Sequence, residues 1–163
     1  MKRIILILSL ALPSLIFSQV NSNIISKSDF NNILINGATF INIESTMGNQ
    51  TQLNSILSSE ISESEIILEE NYFNYNYDGF EICFSNNEIA VFEITKSNWN
   101  ITIKGKTVTI GSHKDVLGNT VLNSKKDGGK SIVYQFCNGC NNYLALDLNS
   151  NGIITKIIYI QQT

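Results

Sequence analysis

The 163-residue chain is poor in the residues that most chemistry uses: one His, one Trp, one Pro and three Cys, with 15% charged residues. Its single Arg is Arg3. Past residue 18 there are nine Lys against 14 acidic residues, a net charge of −5 (9 − 14) with no guanidinium. Arg is the side chain that grips phosphate in two places at once. Nucleic acid and anionic membrane surfaces are therefore poor partners for this chain. No G-x-S-x-G, H-E-x-x-H, glycine-rich phosphate loop or dinucleotide fingerprint occurs. The reading is accordingly not an enzyme, with no catalytic residues and no cofactor. Beyond the first residues, no apolar run approaches the roughly 20 residues that a spanning helix needs.

What is present begins with a leader. MKRIILILSLALPSLIFSQ opens with Lys2 and Arg3, continues in an apolar run from Ile4 to Leu12, breaks at Pro13 and offers Ser18 before Gln19. That is the layout of a secretory signal peptide. Residues 1–18 are read as the signal, cleaved near Ser18/Gln19, which makes the mature protein secreted or periplasmic. The remaining 145 residues (163 − 18) suit one domain with a real core. Residues 19–29 read as a flexible lead, and 123–130, with Gly128-Gly129, as an exposed loop.

One phrase is written twice. NILINGATF (32–40) and NITIKGKTV (100–108) share five of nine residues at a spacing of 68. Apolar and polar residues alternate in both, and Asn36-Gly37 and Lys104-Gly105 supply tight-turn chemistry, so each reads as a β-hairpin. TMGNQTQL and TIGSHKDV follow, predicting a helix near 50–59 and a shorter turn near 113–118, the latter opened by Ser112 and Asp115. Asp78-Gly79 and Asn138-Gly139 then sit between alternating segments, as hairpin signals. The polar turns 85–87 and 149–152 lead into EIAVFEI and IITKIIYI. The fold class expected is α+β: two tandem repeats, 30–97 and 98–163, each a β-hairpin, short helix and three-stranded antiparallel meander, forming one domain over 30–163. Helices should lie on one side of the antiparallel sheet. The acidic stretch 59–70, with five Glu, joins helix to meander and includes a short strand at Ile66–Leu68.

The run TVTIGSHKDVL resembles the strand, glycine and helix opening of tandem α+β repeats in the β-lactamase-inhibitor-protein-like group, and of small secreted bacterial proteins with such repeats. The resemblance implies a non-enzymatic binding or assembly role. It rests on a glycine and an apolar rhythm and carries over no site residue.

Four residue groups are candidates for function. Cys137-Asn-Gly-Cys140 is a Cys-x-x-Cys; a strand-turn-strand setting and an exported chain favour a disulfide across the hairpin over a redox pair or half of a zinc site. That leaves Cys83 as a half-buried thiol. DLNSNG (147–152) matches the start of a calcium loop through Asp147, Asn149 and Asn151, but its twelfth position is Ile158 and not Glu, so a plain turn is favoured and no metal is assigned. The dense aromatic run Tyr72, Phe73, Tyr75 and Tyr77 is either core or a contact surface for an unknown protein or saccharide. His113, the only histidine, is expected to be exposed at a helix start. The function expected is a secreted, non-enzymatic binding or protein-interaction module, in envelope assembly, inhibition or immunity, or ligand binding. The alternative is a small exported hydrolase or metal-dependent enzyme whose site assembles from scattered carboxylates and His113.

Overall fold

Alternating side chains build most of the structure, a computed structural model that describes residues 23–67, 71–125 and 127–161. The signal-peptide reading of 1–18 and its cleavage point lie outside the described residues. The elements in chain order are β1 (Asn23–Ile24), α1 (Lys27–Asn31), β2 (Leu34–Ile35), β3 (Ala38–Thr39), α2 (Phe40–Glu44), α3 (Gln50–Leu57), β4 (Glu63–Ile67), β5 (Tyr72–Tyr77), β6 (Phe80–Ser85) and β7 (Glu88–Ile94). Then come β8 (Asn100–Ile103), β9 (Lys106–Thr109), a 3-10 turn at Lys114–Leu117, β10 (Leu122–Ser124), β11 (Lys130–Gln135), β12 (Asn142–Leu148) and β13 (Ile154–Gln161). The class is α+β, with far more sheet than helix. No helix among the described residues is long and apolar enough to cross a membrane.

The large sheet runs β4-β5-β6-β7-β13-β12-β11, and both β10 and the short parallel β1 lie along the far side of β11. The small sheet runs β3-β2-β8-β9. Both of its hairpins turn through two residues at positive φ, Asn36-Gly37 at 47° and 87° and Lys104-Gly105 at 50° and 76°. This turn matches the right-handed twist of the strands it joins, and the second position suits Gly because it has no Cβ.

The helices are short and individually capped. Thr39 accepts from Asn42 N to open α2, and Asn49 accepts from Gln52 N to open α3. Leu53 and Leu57, one helical turn apart, are the buried stripe of α3. The 3-10 turn is opened by His113, whose Nδ1 accepts from Asp115 N. Ser112, expected in that role, instead accepts from Thr109 N.

The inner face of the large sheet carries the core. Phe92 of β7 stacks on Tyr159 of β13 at 5.5 Å between ring centroids, and Phe40 of α2 meets Tyr159 edge-on at 4.9 Å. Trp99, just before the small sheet, lies 4.6 Å from Phe80. β7 and β13 each carry a bulge. Cys83 pairs with Val91 but Phe84 with Ile89, and Asp147 pairs with Lys156 but Leu148 with Ile154. The extra residue re-aims the strand, so Ile89 joins Phe92 and Ile94 in the core, as Ile154 joins Ile157 and Tyr159.

Three expectations need correction. Of the stretch read as a loose lead, 19–22 lie outside the described residues and the rest holds β1 and the start of α1, because Asn23 bonds the backbone of Val121 and Val133 and Ser26 caps α1. The loop read at 123–130 begins as strand: β10 pairs with β11 from Leu122 to Ser124, and the turn is confined to the residues after it. Each meander therefore has four strands, since β4 begins at Glu63, before the short strand expected at Ile66–Leu68, and pairs with β5 along its length; Leu68 lies outside the described residues.

Candidate binding face

The aromatic run is divided between the two faces of its sheet, with Tyr75 and Tyr77 in the core and Tyr72 and Phe73 partly exposed. Tyr75 and Tyr77 are 1% and 4% exposed and face the core. Their hydroxyls donate to Gly48 O and Asn54 Oδ1, which is how a buried phenol keeps its polar end satisfied. Phe73, half-buried, packs against Gly48, where a side chain on residue 48 would collide with the ring. Tyr72 points to the opposite face, beside Cys83. A hydrogen bond to Cys83, with burial second, pushes the Tyr72 phenol up to about 12. Burial likewise raises the Cys83 thiol, which makes it a poor nucleophile.

The other sequence candidates are turns. Asn149 Oδ1 accepts from the backbone N–H of Asn151 and of Ile153, so it closes its own loop instead of facing a cation. Asp147 lies in β12 and is bonded by Lys125 Nζ at 2.8 Å. The calcium-like spacing thus places Asp147, Asn149 and Asn151 without assembling a ligand set. His113 Nδ1 lies 3.2 Å from Asp115 Oδ2 on an exposed turn, and Asp115 is also bonded by Lys114. The described residues contain no group of three or more His, Cys, Asp or Glu able to hold a metal.

Cys137 and Cys140 are bonded to each other, with Cα atoms 5.4 Å apart. They flank the Asn138-Gly139 turn, but this turn lies beyond the strand ladder and does not join the strands directly. β11 ends at Gln135 and β12 begins at Asn142, in a register that sets Tyr134 opposite Leu144. The bridge therefore tightens a six-residue loop, 136–141, beyond the ladder. Gln135 Nε2 donates to Cys140 O at 2.8 Å and ties the loop back to the sheet.

The feature that sequence reasoning missed is the outer face of the large sheet. Two apolar rows cross it from strand to strand. Val133 pairs with Ala145 and Ala145 with Ile158; Tyr143 pairs with Ile160, Ile160 with Val91, and Val91 with Cys83. Over the first row the face is concave, with a cavity of about 550 Å³ floored by Val133, Ala145, Ile158 and Tyr143. Its charged rim is internally paired, Lys125 with Asp147 and Lys156 Nζ with Glu93 Oε2 at 2.7 Å. The ring contacts of Phe40, Phe92 and Tyr159 use the inner face; on the outer one Val133, Ala145 and Cys83 are buried while Tyr143, Ile158, Ile160 and Val91 are partly exposed. A cavity of about 600 Å³ beside α3 is lined by Gln50, Thr51, Asn54 and other polar groups and has no comparable apolar floor. A signal for the outer face did exist. IVY, YLAL and IIYI are continuous apolar runs, the mark of strands covered on both faces, and not the strict alternation of strands with one wet face.

No protein-family model matches the chain, and no curated protein or solved structure matches it.

Proposed function

We propose that this chain is an exported, non-enzymatic interaction protein, built from two copies of one unit, that meets a protein partner with the outer face of its large sheet. The observation that carries the reading is the pair of apolar rows on the outer sheet face, where Tyr143, Ile158, Ile160 and Val91 keep partly exposed apolar surface beside the buried Val133 and Ala145. Contiguous apolar surface of that kind costs solubility unless something docks on it. The paired rim charges set no strong demand for an ionic ligand, and a floor with one aromatic ring suits a protein side chain better than a stack of sugar rings.

The duplication is supported by pairing that is reciprocal about two centres. The large sheet reads β4-β5-β6-β7 inward from one edge to its centre and β10-β11-β12-β13 inward from the other; the small sheet likewise reads β3-β2 and β9-β8. If Phe92 and Ile94 correspond to Ile157 and Tyr159, the pairs Ile94–Ile157 and Phe92–Tyr159 exchange the two copies, as two-fold contacts do. The bulges at corresponding places in β7 and β13 fit the same correspondence. One copy would leave the inner edge of its meander and the edge of its hairpin unpaired. Two copies close both edges and share one aromatic core.

The competing reading, a small exported hydrolase or metal-dependent enzyme, has less support, because His113 meets one carboxylate on an exposed turn. The test is capture from the native envelope with mature protein as bait, comparing the wild type with Ile158→Lys on the outer face and Gln52→Lys on α3. Loss with the first variant alone supports the reading. Equal capture by all three overturns it.

A further inference from the structure

The large sheet ends at β4, and no described strand pairs with its outer edge. An edge strand presents a row of unpaired backbone N–H and C=O groups, a template for one more strand. We propose that this edge accepts an extended peptide segment of a partner in which basic and apolar residues alternate. This surface is distinct from the outer face, and the inference stands whether or not that face binds.

The two sides of β4 select the partner's chemistry. On the outer-face side stand Glu63 and Glu65; Glu63 pairs with Asn76, and Asn76 with Glu81. Glu81 accepts from Asn74, but no Lys lies within ion-pair distance of Glu63, Glu65 or Glu81 among the described residues. A basic residue placed opposite Glu63 or Glu65 in a new strand would supply the missing cation. On the other side of β4, Ile66 pairs with Phe73 and is 44% exposed. Phe73 packs on Gly48, and the residue before it, Met47, is 58% exposed. An incoming apolar residue beside Ile66 would extend that row. Period-two alternation gives one strand both chemistries at once.

The same charges argue against a second copy of this chain as the occupant. Antiparallel β4–β4 pairing would bring Glu63 and Glu65 of one copy against those of the other, and like charges directly opposite are destabilising. The acidic edge therefore blocks self-association while leaving the strand open to a basic partner, a combination that a Lys-bearing edge would not give.

The test uses the mature protein and labelled synthetic peptides: one alternating Lys and Val, one with the same residues in two blocks, one with Glu for Lys, and one alternating but N-methylated at every second amide. Binding is read by anisotropy and localised by amide exchange. The expected result is that the alternating peptide binds and slows exchange in β4. The Glu peptide should bind at least about tenfold more weakly, as two pairs change from attraction to repulsion. The double variant Glu63→Lys, Glu65→Lys, at exposed positions, should reverse that preference with Trp99 fluorescence unchanged. Equal binding of the block or N-methylated peptide would overturn strand addition. Protection elsewhere than 63–67, or wild-type dimers formed through β4, would overturn the site or its occupant.

Discussion

Truncating Phe92 tests the core most severely. Its ring is 1% exposed and lies within 5.5 to 6.5 Å, centroid to centroid, of Tyr159, Phe80 and Phe40. Phe→Ala in a core costs about 3–5 kcal/mol, and more where neighbours cannot collapse into the space. Here those neighbours are rings held by three different elements, so closure is limited, and about 4 kcal/mol is expected. With a urea slope of roughly 2 kcal/mol/M, the midpoint should fall by about 2 M. Trp99, itself 2% exposed and packed on Phe80, reports the transition by fluorescence. Ile158→Ala, on the half-buried outer face, should cost less than half as much. A Phe92→Ala loss under about 1.5 kcal/mol, or an equal loss for Ile158→Ala, would refute the assignment of inner and outer faces, because both follow from the range that core burial sets.

Other outcomes follow from particular positions. Gly105→Ala should cost about 1 kcal/mol by urea titration, since φ is 76° and nothing lies within 4 Å of the new Cβ. Gly79→Ala should cost more, because its Cβ would overlap the Lys96 side chain at a φ of 85°; equal costs would contradict the packing. Burial raises the pKa of Tyr75, Tyr77, Tyr134 and Tyr159. A raised folded pKa contributes stability that is fully present below about pH 10, the unfolded value, and is lost as pH rises further. The urea midpoint should therefore fall above that pH, with phenolate absorbance from these four appearing only on unfolding; their reversible titration near pH 10 in folded protein would contradict burial. Cys137→Ser with Cys140→Ser should cost about 1 kcal/mol or less, because the closed loop is so short, and thiol labelling of unreduced, denatured wild type should find Cys83 alone.

The parts of the fold that were legible in the sequence are those set locally. Asn36-Gly37 and Lys104-Gly105 force tight turns by their own backbone preferences, and Leu53 with Leu57 marks α3 by spacing alone. The elements missed depend on distant partners. Leu122–Ser124 becomes strand only because β11 lies alongside, and Asn23–Ile24 because Val121 and Val133 accept the Asn23 side chain. The candidate site was legible only in part. Alternation correctly put Phe73, Tyr75 and Tyr77 on one face, but it does not say which face is wet; Gly48 and Asn54, more than 20 residues away in the chain, decide that by receiving the tyrosine hydroxyls. The outer rows join Val133, Ala145, Ile158, Ile160 and Val91 across four strands, and only the register brings them together.

The claim that the outer face is the contact surface is tested most directly by site-specific photo-crosslinking in the native envelope. A photoreactive residue is placed in turn at Tyr143 and Ile158, which floor the cavity, and at Gln52 on the exposed side of α3. The account predicts one discrete partner adduct from positions 143 and 158 and none from position 52. Adducts from position 52 alone, or identical products from all three, would contradict it.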